Sequence, residues 1–307
     1  MFNIFKKKQP ENDNTAEKEV NTEKNEQQTG KNEQKPAGSM DGSEFVRKYM
    51  ELYAPYTLKD FVIKDRPFEE LPDIDQYHNG LRAMAHHVDT KRAEDPMFGA
   101  RIAAQEILNN IMNWLKNDKG VHSETLLAVL ASVGGRVCVQ GVVNTFTGMI
   151  SDNAQDRKKM TYALATILKI LIAETPDGEA YIMGDRIGNE FLLFFRNAMG
   201  EAVDPQQLMP VASQTAQLCG NEKFWNTPYD ELIKNSPKNI ADLFTEKFEV
   251  TFMTYCRFPQ ERMLAVAFAT QNAVKQIVSQ NILDKEKAAS IIAEYGWRTS
   301  HHWGKMF

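Results

Sequence analysis

The chain has 307 residues, 42% of them hydrophobic and 25% charged, with a formal net charge of −5, the balance of an ordinary globular protein. The acidic excess argues against a general nucleic-acid binder, which is usually basic. Cys138, Cys219 and Cys256 lie far apart, with no CxxC or Cys/His spacing, which gives no zinc-site pattern and fits a reducing, cytoplasmic setting.

Residues 1–42 read as a disordered, charged and polar tail, and 43–307 as a single helical domain. From Gln9 to Met40 no aromatic residue occurs, so too little apolar surface is available to offset conformational entropy. The apolar part of MFNIF is too short for a secretory h-region. Met1 to Lys8 joins that short apolar head to three lysines, a weak signal for contact with an anionic membrane surface, since stable anchoring takes two signals.

The folded part begins with a helix behind Ser43, ended by Pro55. A short strand at Asp60–Lys64 and one or two helical turns at Leu81–Val88 follow. Asp95-Pro96 starts a helix running to about Asn117, with Asp as N-cap and Pro at its first position. Ala154 to Glu174 has helical periodicity, and Thr175-Pro176-Asp177-Gly178 is a turn. Tyr181-Ile182-Met183 is a candidate strand, and Asp185 caps the next helix. Asp204-Pro205 opens another, Asn221 to Lys238 is a loop, and Asn239 to Tyr255 is helical. Pro259 opens a long helix to about Asn281, and Asp284 caps a last one ending at Gly296.

Everything packs around Ser123 to Ile150, the longest apolar run of low charge. Gly134, Gly141 and Gly148 recur every seven residues and fall on one line of a helix, a small face suited to close helix approach. Arg136, Gln140 and Asn144 form a polar stripe on the opposite side, and Cys138, Val142, Phe146 and Met149 an apolar one. Three readings compete. A membrane span needs about 20 uninterrupted apolar residues, and Arg136 interrupts this one. A phosphate loop needs GxGxxG or GxxxxGK[ST], and neither is present. The preferred reading is a buried helical hairpin broken at Gly134-Gly135. The expected fold is mainly α, a multi-helix orthogonal bundle around that hairpin with at most one short strand pair.

Candidate chemistry is sparse. His86-His87 are adjacent, so they diverge on a helix, and HExxH is absent; no metal or cofactor is expected. No GxSxG and no ExxH occur, which leans against an enzyme. Asp185 and Asn189, four apart at a helix start, are a candidate pair for a cation or polar ligand. Trp297, Arg298, His301, His302 and Trp303 form an aromatic and basic tail that either docks a partner or packs back to pin the terminus. The segments GEAYIMGD (178–185) and ILIAETPDG (170–178), with the apolar run before them, resemble an uncharacterised bacterial all-α family. That resemblance implies an all-α bacterial protein and assigns no activity and no functional residue.

The leading functional expectation is a non-catalytic cytoplasmic interaction or regulatory protein, acting on an unknown protein partner or by self-association through the small face. The alternative is a small-molecule-binding domain or enzyme with a pocket near Arg136, Gln140 and Asn144, using Asp185 and a histidine. A closed polar pocket of a few hundred Å³ at that stripe favours the alternative.

Overall fold

The computed structural model describes residues 73–147, 162–163, 165–166, 169–200, 204–256 and 259–305, with side chains left undescribed at 73–78, 144–147, 205 and 305. The tail of 1–42 with its Met1–Lys8 head, the helix behind Ser43, the strand at Asp60–Lys64, Gly148 and the start of the helix at Ala154 lie outside these residues.

The fold is mainly α. Helix α1 spans Asp73–Lys91 and contains the turns expected at Leu81–Val88. Helix α2 spans Phe98–Leu115. Asp95 makes the entry turn rather than the cap: its Oδ1 accepts from Met97 N at 3.0 Å and its carbonyl from Phe98 N at 3.0 Å.

Helix α3 runs unbroken over Ser123–Thr147, so the central element is one helix and not a hairpin. The physical reason is at the two glycines. A Cβ on Gly134 would lie 2.2 Å from the Phe194 ring, and one on Gly135 would lie 2.1 Å from the Gly296 carbonyl oxygen. They permit close crossings and do not make a turn. At Gly134 and Gly135 this face is thereby filled by the chain's own helices, and Pro259 lies beside the half-buried Gly141. Every residue from Leu126 to Val139 is buried, as expected for a helix apolar on nearly all sides. The window Ser123–Val143 is long and apolar enough to cross a membrane by composition, and 89% of it is buried inside the fold.

Strand β1 covers Leu171–Glu174, where the sequence pattern had a helix end, and β2 covers Glu179–Met183. They form an antiparallel hairpin pairing Leu171 with Met183 and Glu174 with Ala180. The turn residue Gly178 has φ +85°, a conformation open to glycine at little cost. Helix α4 spans Asp185–Met199, capped by Gly184 rather than Asp185. Asp204 Oδ1 accepts from Gln206 N at 2.9 Å and starts a 3₁₀ turn, Pro205–Leu208, that leads into α5, Met209–Thr215. The expected loop at 221–238 contains a 3₁₀ turn, Glu222–Trp225, and the short α6, Asp230–Ile233. The helix expected over 239–255 is two, α7 Pro237–Phe244 and α8 Glu249–Tyr255, joined by a 3₁₀ turn at Glu246–Phe248.

Helix α9 spans Pro259–Ser279. Helix α10 spans Lys285–Ser300, with Asp284 Oδ1 accepting from Lys287 N at 2.6 Å as its cap. It continues past Gly296 because that glycine sits in the helix crossing: its Cβ would lie 3.1 Å from the Ala131 carbonyl. A third strand, β3 His302–Lys305, adds to β2, so the sheet has three strands rather than a single pair.

Two apolar clusters meet on α3. The larger joins its first half to α2, α4, α9 and α10 through Leu126, Leu130, Phe191, Phe194, Val266 and Ile292. The smaller packs Val139, Val142 and Val143 against Ile170, Ile182 and Ile187, with Trp303 beside them. Arg136 stands between the two.

Candidate functional site

Arg136 is one helical turn before the second cluster and is 8% exposed. Three elements converge on its guanidinium and the groups beyond it. The α7 residue Asp242 accepts from Arg136 Nη2 at 2.7 Å. The same nitrogen is 3.1 Å from His302 Nδ1 on β3. A guanidinium only donates, so Nδ1 is the acceptor and His302 carries its proton on Nε2. That proton is donated to Glu179 Oε2 on β2 at 3.2 Å. Glu179 also pairs through Oε1 with Lys238 of α7. The β2–β3 register creates this meeting: a bulge between Ala180 and Tyr181 sets Tyr181 opposite His302.

Burial pulls the His302 pKa down to about 4, and the nearby Arg136 charge acts in the same direction. Burial alone would raise Glu179, but its hydrogen bond to Lys238 and the His302 charge bring it below the ordinary carboxylate value. Trp225 lies edge-on to His302 at 4.9 Å between ring centres, and Tyr181 lies at 5.2 Å. Both ring nitrogens of His302 are engaged and the residue is 1% exposed, so the imidazole has no open nitrogen for proton transfer to a substrate. Burial pushes the Cys219 thiol up to about 11 and raises Cys138 and Cys256 as well, so these thiols are poor nucleophiles at neutral pH.

On the outer side of Arg136 is a cleft of about 410 Å³, lined by Arg136, Gln140, Ala241, Asp242, Thr245, Glu246 and Glu249. Arg136 and Thr245 are buried at its base, at 8% and 7% exposed, while Asp242 and Glu246 are on the exposed rim. Two buried polar atoms here, Arg136 Nε and Thr245 Oγ1, have no hydrogen-bond partner among the described residues. Glu249 pairs with Arg262 at 2.9 Å.

No family model, curated protein or solved structure matches this chain. The reading of the site therefore rests on its own chemistry.

The residues proposed from sequence divide between two places. Arg136 and Gln140 line the cleft just described. The side chain of Asn144 lies outside the described residues. Asp185 and Asn189 line a different cleft of about 460 Å³ with Lys169, Arg186, Glu190 and Leu193. Among the described residues no three His, Cys, Asp or Glu side chains assemble as a metal cage. His86 and His87 are exposed, and His87 lies against the Phe98 ring at 6.0 Å.

The tail residues pack inward instead of forming an exposed docking tail. Arg298 donates to the carbonyls of Phe224 at 2.6 Å and Asn226 at 2.7 Å and pairs with Glu294. It thereby fixes the loop that carries Trp225. Trp297 donates to Thr215 Oγ1 at 3.0 Å. His301 Nδ1 donates to the Trp297 carbonyl at 2.8 Å, and Trp303 packs on the smaller cluster.

Lys238, Asp242, Thr245, Glu246 and Glu249 were not singled out from sequence, while Glu179 belongs to the charged turn segment 175–189 that carries Asp185 and Asn189. Asp242, Glu246 and Glu249 are spaced by four and three, which puts them on one face of a helix. That spacing was the available signal. Nothing local marks Lys238, or the meeting of Glu179 with it, which depends on the packing of β2 beside α7.

Proposed function

We propose that this chain is a non-catalytic binding protein for a small polar molecule, seated in the cleft over Arg136, with a regulatory role in the cytoplasm. The observation that carries this reading is the pair of unpartnered buried atoms, Arg136 Nε and Thr245 Oγ1, beneath one cleft. A buried polar group without a partner costs about 1–3 kcal/mol, and a ligand's polar group or a bridging water recovers that cost. The cleft volume is in the range usual for small-molecule sites, about 300–1,000 Å³. The closed hydrogen bonding of His302 supports binding rather than proton-transfer chemistry. Three free thiols support a reducing compartment. Ligand-observed NMR against a panel of small anions, cations and neutral polar compounds tests this. Binding that is weakened by Gln140→Leu supports it, and a panel silent against the full chain removes it.

A second reading, a protein-interaction module, has one specific feature in its favour. Trp114 is 43% exposed, tilted against Phe248 at 5.4 Å between ring centres and covered by Lys247 Nζ at 4.9 Å from its ring centre. Trp114→Ala should abolish capture of a cellular partner by the full chain if this reading is right, and leave capture unchanged if it is not.

A further inference from the structure

We infer that the cleft over Arg136 selects a compact organic cation, one bearing a primary ammonium group together with a hydroxyl or other hydrogen-bond acceptor. This rests on the binding reading above and names its ligand class. The charges lining the cleft are Arg136, Asp242, Glu246 and Glu249. Arg136 is matched by Asp242 at 2.7 Å, and Glu249 by Arg262 at 2.9 Å. Glu246 has no ion-pair partner among the described residues, and it is exposed at the rim. The cleft therefore presents one uncompensated negative charge to an incoming molecule. Asp242, with its side chain 47% exposed, and Glu249, at 23%, keep lone pairs available beside it.

The base of the cleft adds a second requirement. The Arg136 Nε–H is a donor without an acceptor, and the Thr245 hydroxyl has no partner of either kind among the described residues. Both residues are more than nine-tenths buried. An anion would meet the exposed Asp242 and Glu246 carboxylates at the rim before reaching that donor. A fully apolar cation would leave the donor unmatched. An ammonium held among Asp242, Glu246 and Glu249, with a hydroxyl directed at the base, satisfies both ends once the side chains that close Arg136 Nε and Thr245 Oγ1 from solvent turn aside. Gln140, half-buried at the same wall, can donate or accept and so orients the middle of such a molecule.

The test is titration of the full chain with three probes of similar size, 6-aminohexanol as cation, glutarate as anion and hexanediol as neutral compound, by calorimetry and by amide chemical shifts at Gln140 and Thr245. The aminohexanol alone should saturate the site. Glu246→Lys should weaken it at least tenfold, while Glu286→Lys, which changes net charge equally at an exposed position of α10, should leave it unchanged. Equal weakening by both variants would show diffuse charge attraction and overturn the proposal. Glutarate or hexanediol shifting these amides with 6-aminohexanol silent overturns the cationic class and leaves the binding reading standing. Silence of all three at millimolar concentration overturns both.

Discussion

Arg136 is the residue at which packing and polarity conflict most. It replaces what would be an apolar position of a helix buried from Leu126 to Val139, and burying a charge is unfavourable unless it is paired and hydrogen-bonded. Its two ends are treated differently. Nη2 is shared between Asp242 and His302, whereas Nε is unpartnered. Losing the carboxylate leaves the buried guanidinium charge without its ion-pair partner, so Asp242→Asn should destabilise by about 1–3 kcal/mol. Arg136→Met removes the buried charge, keeps the apolar stem and leaves behind only a half-exposed carboxylate, so it should cost less. Urea denaturation of both variants measures this, and a larger loss for Arg136→Met would mean that the guanidinium contributes more than its pairing with Asp242. The glycines of α3 give a second contrast. Gly135→Ala pushes a methyl into the Gly296 carbonyl at 2.1 Å, which neither helix can relieve by turning a side chain, so a loss of at least about 1–3 kcal/mol is expected. Gly141→Ala meets only Pro259 Cβ at 3.4 Å, and should gain up to about 1 kcal/mol of helix propensity. A stabilising Gly135→Ala would contradict the close crossing.

At the scale of elements, β3 ties the polar site together. It carries His302, Trp303 and the Arg136-facing Gly304, and the Ile182 amide donates to the His301 carbonyl at 2.8 Å where the strand begins. Truncation after Ser300 should unpair β2 and uncover Val139 and Val142 on α3. The expected result is a lower thermal midpoint and increased amide exchange at Tyr181 and Ile182, read by hydrogen-exchange mass spectrometry. Unchanged protection of β2 would show that the hairpin stands alone. This strand was illegible in the sequence because HWGK has no alternating pattern, and its pairing comes from a terminus folded back across the chain. By contrast α9 and α10 were legible, since Pro259 and Asp284 set their starts locally. The hairpin expected at Gly134-Gly135 failed for a related reason: a glycine pair reads the same whether it breaks a helix or lets another helix cross it, and Gly296 lies more than a hundred residues away. Half of the cleft was visible in the spacing of Arg136 and Gln140. The other half comes from α7 and the 3₁₀ turn behind it, whose position beside α3 is set by tertiary packing.

For the whole molecule, the buried histidines make stability depend on pH. His301 and His302 are both pulled by burial to about 4 from an unfolded value of 6.5. Around His302 stand Arg136, Glu179, Lys238 and Asp242, with the Tyr181 and Trp225 rings; the His301 ring hydrogen-bonds Ser300 Oγ and the Trp297 carbonyl and lies against the Trp297 ring at 4.4 Å between ring centres. Between these two pKa values the unfolded chain binds protons that the native chain does not. Stability is therefore complete above 6.5 and falls as pH drops toward 4, by up to about 1.4 kcal/mol per pH unit for each histidine. Glu124 and Glu179, both held below the carboxylate value of 4.5, add a further loss only below that value. Glu294, raised by burial against its Arg298 partner, has the opposite sign, and its contribution disappears as pH rises through its folded pKa. Urea midpoints compared at about pH 7 and about pH 5 should thus differ clearly, with the native state weaker in acid. The double variant His301→Asn and His302→Gln keeps an N–H donor toward the Trp297 carbonyl and Glu179 and removes both titrations. It should flatten the slope over this interval, from a stability lowered below the parent's by the lost Arg136–Nδ1 hydrogen bond and the lost ring contacts with Trp225 and Tyr181. A slope as steep as that of the parent chain would place the proton uptake on other groups and refute the assignment to these two rings.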